Sequence, residues 1–218
     1  MRVHMLWIGE RLSQIEQMSC KSYLKHGFEV NLWAYDDVRD VPEGVELKDA
    51  NEVLPARRIF TYRNGSYAGY ANLFRYAVLT QFGGLWSDID ILCLRDVDEI
   101  DSGPFLVLEQ GVGKKKMNIN NCLIHCPFPE RGDIVDLAFA VADRYNPDLL
   151  SWGDTGPKLL TTLHAAYPKV RFPLKRPSFC NFFEYTQCPT VLLKQDKSSA
   201  AMVMGMLGPF LHLYNETW

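Results

Sequence analysis

From Tyr67 to Phe82 the chain is largely apolar, and it stops abruptly at Gly83-Gly84. Apolar residues at nearly every position read as a helix buried on most sides, and the glycines supply its termination. A further apolar run leads into Asp88, and Ile91–Leu94 follows Asp90. Aspartate is depleted in strands and costly to bury without a cation or hydrogen-bond donors. Two of them, two residues apart at a strand's edge, point to something positive nearby. A hard divalent ion suits the place, because Mg²⁺ and Mn²⁺ favour carboxylate oxygen and leave positions open for phosphate oxygens.

The rest of the chain places this element in a fold class. Val3–Ile8 reads as a strand, Leu12–His26 has helical spacing of its apolar residues, and Val30–Ala34 reads as a second strand. Strand, helix, strand is the start of a parallel α/β sheet. Residues 40–65, with Pro42, Gly44, Pro55 and Gly65, are expected to be irregular. Strands are expected at Phe105–Glu109 and Ile119–Cys126, and helices at Ile134–Tyr145 and Thr155–Ala166, with Pro157 in the first turn of the latter. The last 50 or so residues read as proline-rich loops with short strands. With no repeat and no low-complexity linker, residues 1–218 are expected to form one domain, a length that can bury a substantial core.

Charge and cysteine usage narrow the function classes. Lys and Arg number 23 against 26 Asp and Glu, a net charge of −3, which argues against a nucleic-acid binder. Lys114, Lys115 and Lys116 form the one basic cluster, read as a solvated loop. No apolar run approaches the ~18 residues of a membrane span, and the N-terminal apolar stretch is too short for a signal peptide. Cys122 and Cys126 are separated by three residues, and no second pair of the six cysteines has zinc-finger spacing with histidines. Buried reduced thiols in a cytoplasmic protein are the expectation.

Asn72, Arg75 and Leu79 share one face of the apolar helix. Arg75 has two readings from spacing alone: a salt bridge to one of the aspartates, or a guanidinium fork for sugar hydroxyls or phosphate. The succession Asn-x-x-Arg-Tyr, Gly-Gly-x-Trp-x-Asp-x-Asp and an apolar strand resembles the core of glycosyltransferase family 32 and its DXD-motif relatives. Val3–Gly9 resembles that family's opening Ile-His-x-x-Trp-x-Gly, Asn121-Cys-Leu-Ile its central strand, Thr155-Gly156-Pro157 a helix start, and His212–Trp218 its closing segment. The resemblance implies an α/β fold of the GT-A, Rossmann-like type, with a mixed, mainly parallel sheet flanked by helices.

It also implies roles. Trp7 would stack on a nucleotide base, or else be a core strand residue. Asp88 would contact ribose or donor sugar, and Asp90 would ligate Mn²⁺ or Mg²⁺. His212 is a candidate further ligand, or a structural histidine. Asn121 would serve the donor, and Asn215 and Trp218 would close over the diphosphate. Asp154 could orient the acceptor, though a helix N-cap is an equal use for it. The family usually has Asp where this chain has Asn72, which keeps the shape and loses the charge. The implied reaction is retaining transfer of a hexose from a nucleotide diphosphate sugar, UDP-linked or GDP-linked, to a glycan or lipid-linked acceptor, as in surface polysaccharide synthesis. Peripheral association with the inner face of a membrane would accompany a lipid-linked acceptor. Two rivals stand beside it. One is a non-catalytic nucleotide-sugar or carbohydrate-binding relative; the other is a phosphohydrolase with an Asp-x-Asp nucleophile, which Leu92 and the position of the pair disfavour.

Overall fold

The computed structural model describes residues 1–110, 117–170, 172–183 and 207–215. Trp218, Lys114–Lys116 and Cys188 lie outside them. The chain opens with β1 (Arg2–Trp7), α1 (Gln14–Lys25) and β2 (Glu29–Ala34). Helix α1 starts in a capping box: Ser13 accepts from the Ile15 N–H, and Glu16 accepts from the Ser13 N–H at 2.6 Å. Next comes β3 (Val45–Asp49), followed by α2 (Ala68–Phe82), β4 (Gly84–Ser87) and β5 (Ile91–Cys93). Strands β6 (Phe105–Gln110) and β7 (Met117–Cys126) precede α3 (Ile134–Ala142) and α4 (Pro157–Ala166). Short strands β8 (Leu174–Lys175) and β9 (Phe210–His212) complete the described elements.

The main sheet has the order β3-β2-β1-β4-β7-β6-β8. The pairs β3–β2, β2–β1, β1–β4 and β6–β8 are parallel, and β7 runs against both of its neighbours. The expected mixed, mainly parallel sheet is therefore the one found. Strand β3 corrects the irregular reading of residues 40–65. It lies at the sheet edge, and its alternation, Val45-Glu46-Leu47-Lys48, is short, with Glu46 and Leu47 both exposed. Two boundaries also move: α3 ends at Ala142, and α4 begins at Pro157, with Pro157 in the first turn.

Both faces of the sheet are covered, which is why its central strands are largely buried and rich in apolar residues. On one face Trp33, Trp86 and Ile124 pack with Phe74, Val78, Val135 and Leu160 from α2, α3 and α4. On the other, Val3, Met5, Leu85 and Phe105 pack with Cys20 and Tyr23 of α1 and with Ile91 and Phe210 of the antiparallel β5–β9 pair. The five described cysteines, Cys20, Cys93, Cys122, Cys126 and Cys180, are buried and free of disulfides. Among the described residues no helix is long and apolar enough to cross a membrane.

The double glycine has a geometric cause. Gly83 (φ 65°) and Gly84 (φ 91°) turn the chain from α2 directly into β4. A Cβ on Gly84 would stand 2.9 Å from the Arg2 carbonyl of β1, and one on Gly83 3.0 Å from the Cys126 carbonyl of β7. Only glycine accepts both the positive φ and the close approach. The turn thereby seats β4 between β1 and β7 and delivers Asp88 to the end of the strand.

Candidate donor-binding and metal site

The chain runs outward from β1 through β2 to β3, then returns through α2 to place β4 on the other side of β1. That reversal opens a crevice at the carboxyl ends of the strands, where open α/β sheets bind ligands. A cavity of about 980 Å³ lies there, and Trp7, Asn72, Arg75, Asp88, Asp90, Asn121, His212 and Asn215 all line it. Eight of the sequence-derived site residues thus converge from five separate segments.

Asp88 and Asp90 are held differently. The Arg75 guanidinium, itself only 4% exposed, lies 3.1 Å from Asp88 Oδ1, which also accepts from Trp86 Nε1 at 2.8 Å. Arg75 further donates to the Ala71 carbonyl at 3.2 Å and to the Asn121 carbonyl, and stacks 5.1 Å from the centre of the Trp86 ring. Of its two sequence readings, the ion pair is realised, and Arg75 still lines the cavity. Burial raises the Asp88 carboxyl above the ordinary range, the Arg75 charge opposes this, and neighbouring Asp90 adds to it.

Asp90 begins the turn into β5, whose pairing with β9 sets Ile91 opposite His212. His212 Nε2 lies 3.4 Å from Asp90 Oδ1, and the Asn215 N–H donates to Asp90 Oδ2 at 2.8 Å. Burial alone would raise the Asp90 carboxyl, but the His212 charge and hydrogen bond and the Asn215 N–H outweigh it and hold it low. Burial likewise pushes His212 down, and Asp90 overcomes this and raises it well above the usual imidazole range.

Three ligand atoms, one each from Asp88, Asp90 and His212, lie within 4.8 Å of one another. Two carboxylates and an imidazole fit a first-row divalent ion such as Mn²⁺, with Asp88 offering the oxygen not engaged by Arg75. Without a cation, a proton on His212 balances Asp90; a metal would displace that proton.

The His212 ring is oriented from behind. Its Nδ1 meets Asn181 Oδ1 at 2.9 Å, and the Tyr214 ring stacks on it at 3.8 Å. Asn181 also accepts from the Tyr214 hydroxyl at 3.2 Å and donates to the Leu108 carbonyl at 3.2 Å. With Nδ1–H given to Asn181, Nε2 faces Asp90 and is the nitrogen open to a metal. Tyr214 adopts a left-handed backbone (φ 54°), unusual for a large side chain, and the chain so turned brings the Asn215 N–H to Asp90. The Asn215 amide donates to Glu16 Oε1 at 3.0 Å, fastening this segment to the capping box of α1.

The amide Asn72 is committed to structure. Its Oδ1 accepts from Asn121 Nδ2 at 2.8 Å, and its Nδ2 donates to Thr155 Oγ1 at 3.3 Å. The Tyr76 hydroxyl completes this buried set by donating to the Thr155 carbonyl at 3.1 Å. Gly156, between Thr155 and Pro157, has to be glycine for this packing, since a Cβ there would stand 2.8 Å from Asn72 Nδ2. The Thr-Gly-Pro segment therefore works as a backstop behind Asn72 and Asn121.

Trp7 is half-buried at the end of β1, and its indole Nε1 is buried without a hydrogen-bond partner. Asp154 does not line the cavity. Its carboxylate accepts from the Ser151 N–H at 2.8 Å and pairs with Lys158 at 2.9 Å, while Gly156 holds the N-cap position of α4. The N-cap reading of Asp154 is not met, since Gly156 takes that position; Asp154 clamps its own loop through Ser151 and Lys158. Sequence reasoning passed over Glu16, Tyr62, Glu109, Asn120 and Asn181. Glu109 lines the cavity from β6, accepts from Asn120 Nδ2 at 2.5 Å, and is raised by burial. None of these carried a motif signal.

Residues 11–105 match the family model described as a glycosyltransferase sugar-binding region containing a DXD motif. This segment is similar to a DXD-type glycosyltransferase region. It holds α1, α2, Arg75 and both aspartates. No curated protein sequence matches the chain. Among solved structures, the chain is similar to the PaToxG glycosyltransferase (18% identity, TM-score 0.53), over 77% of this chain and 69% of that one. It is similar to the glycosyltransferase GlyE of Streptococcus pneumoniae (15% identity, TM-score 0.55) over 97% of this chain and 54% of GlyE. It also resembles an active-site mutant of LgtC (12% identity, TM-score 0.50), over 97% of this chain and 86% of that one. The chain thus spans about half of GlyE. At these identities the likeness is one of fold, and the fold is that of the GT-A glycosyltransferases.

Proposed function

We propose that this chain is a metal-dependent, retaining glycosyltransferase that moves a hexose from a nucleotide diphosphate sugar to a glycan or lipid-linked hydroxyl. The observation that carries the reading is the convergence of Asp88 after β4, Asp90 just before β5 and His212 at the end of β9, inside the cavity lined by Trp7. Asp90 and His212 would hold Mn²⁺ or Mg²⁺, with Asp88 contributing its second oxygen. When bound, the ion supplies positive charge for the diphosphate, the group on which negative charge grows as the sugar departs.

The protein's own groups account for the rest. Trp7 offers an aromatic face to the base and an unpaired N–H, and a UDP-sugar is the favoured donor. Arg75 holds Asp88 and the Asn121 backbone in place, and so shapes the wall against which the sugar would lie. Asn72 and Asn121 satisfy each other, so the usual carboxylate at position 72 is replaced by a neutral amide with one face toward the cavity.

The carboxylates lining the cavity, Glu16, Asp88, Asp90 and Glu109, each accept hydrogen bonds from neighbouring groups. None of them is evident as a nucleophile, and retention then favours attack from the leaving group's own face. In that step the bond from the anomeric carbon to phosphate breaks and the bond to the acceptor oxygen forms. The acceptor's proton passes to the departing phosphate oxygen. Assembly of a surface polysaccharide in the cytoplasm, at the inner face of the membrane where the acceptor is lipid-linked, completes the reading.

The test is calorimetric binding and turnover of UDP- and GDP-hexoses with and without Mn²⁺. At least one donor should bind only with the metal and be slowly hydrolysed. Asp90→Asn, which keeps an acceptor for the Asn215 N–H, should lower that turnover by about 100-fold or more. Donor turnover unchanged by the substitution or by chelation would overturn the metal assignment. Donor binding without any turnover or transfer would favour the non-catalytic reading.

A further inference from the structure

A second cavity, of about 490 Å³, opens beside the first, between segments 61–65 and 147–150. Tyr62 and Gly65 line both cavities, so the two share a wall. Its other lining includes Thr61, Arg63 and Asp148, which are polar or charged. At the mouth of the first cavity stands Trp152, 58% exposed, with its ring 5.7 Å from that of Tyr62 and tilted 46° to it.

Two features set this corner apart from ordinary surface. A large indole left in water forgoes the stabilisation of burial, yet the loop that carries it is clamped. The Asp154 carboxylate accepts from the Ser151 N–H and pairs with Lys158, and the Asp154 N–H donates to the Ser151 carbonyl at 3.1 Å. The second feature is Tyr62, which is only 8% exposed and whose hydroxyl is buried. That hydroxyl lies beside Thr155 and the Gly153 backbone but makes a well-formed hydrogen bond to neither. A buried hydroxyl without a partner is costly unless a ligand supplies one.

We propose that the corner where the second cavity meets the first is the acceptor subsite, and that it takes a pyranose-containing glycan which stacks on Trp152 in the wall of the first cavity and hydrogen-bonds to the Tyr62 hydroxyl. This rests on the transferase reading above. Transfer requires the acceptor oxygen to lie within about 3–3.5 Å of the anomeric carbon, so an acceptor site has to abut the donor cavity, as this one does through Tyr62. The C–H face of a pyranose is weakly positive and meets the negative face of an indole favourably. Thr61, Arg63 and Asp148 then offer donors and acceptors to the sugar's hydroxyls, which suits a glycan better than a lipid tail. Asp154 becomes a positioning residue: it sets the loop on which Trp152 is displayed.

Saturation-transfer NMR with lactose, chitobiose and maltose as probes, in the presence of Mn²⁺ and UDP or GDP, tests the proposal. The native protein should saturate at least one of them. Trp152→Ala should weaken that disaccharide by roughly tenfold, consistent with the loss of one good aromatic contact, and Tyr62→Phe should also weaken it. Calorimetric affinity of Trp152→Ala for the metal–nucleotide should stay within about twofold of native, which also certifies its fold. Equal disaccharide binding in Trp152→Ala overturns the assignment, as does a native protein that binds nucleotide and none of the three probes. Failure of the native protein to bind any nucleotide would instead sink the transferase reading, and this subsite with it.

Discussion

Among single residues, Asn181 has the most influence for the least sequence signal. It belongs to no motif, yet its one carbonyl oxygen receives the His212 ring and the Tyr214 hydroxyl, and its amide is anchored on β6. Groups that orient a metal-ligating histidine usually change metal affinity 10–100-fold when removed. Asn181→Leu should therefore weaken Mn²⁺ binding by roughly that factor in calorimetry; an unchanged affinity would show that His212 needs no orienting partner. The aspartate pair was legible because buried carboxylates are chemically conspicuous. Asn181 was not, because an asparagine in a loop ordinarily serves a turn. Arg75 shows the same limit from the other side. Its burial could be read from the apolar helix, but which aspartate it faces depended on how β4 leaves the double glycine.

Among elements, the α2–β4 turn decides where the site lies. Gly84→Ala combines a positive φ with a Cβ 2.9 Å from a backbone carbonyl that cannot swing away. We expect a loss of about 2 kcal/mol, seen in a chain of this size as a fall in Tm of roughly 4–8 °C. A Tm within about 1 °C of native would mean that β1 and β4 separate more easily than their packing indicates. The amphipathic and apolar helices were readable from spacing, and so were the central strands, because both faces of a parallel sheet are buried. Edge strand β3 escaped notice for the opposite reason: its alternation is too short to stand out, and the charged Glu46 and Lys48 that protect an edge also read as loop. The helix expected from Thr155 begins at Pro157 because Thr155 spends its hydroxyl and carbonyl on Asn72 and Tyr76.

For the whole molecule, acid stability is set partly by His4, buried in β1 between β2 and β4. Its Nδ1 accepts from Trp33 Nε1 at 3.0 Å, which favours the neutral ring. Burial and then Arg2 push its pKa down to about 4, against a smaller opposing pull from the Gly83 backbone. The folded state therefore binds fewer protons than the unfolded chain, whose histidine titrates near 6.5. This contribution is complete above about pH 6.5 and is lost as pH falls toward 4, to a total of about 3 kcal/mol. Urea denaturation across that range should show the loss, and His4→Gln should flatten it; an equal slope in both proteins would refute the assignment.

What residue order alone determined was the class of fold and the chemistry of its sharpest feature, because apolar periodicity and buried charge are local properties of the chain. Tertiary structure decided which partners those charges meet. His212 reaches Asp90 through the pairing of β9 with β5, Asn215 reaches Glu16 across almost the whole chain, and Asp154 is spent on its neighbour Lys158. Such pairings follow from the order of strands in the sheet and the path of the loops between them, which no local pattern encodes.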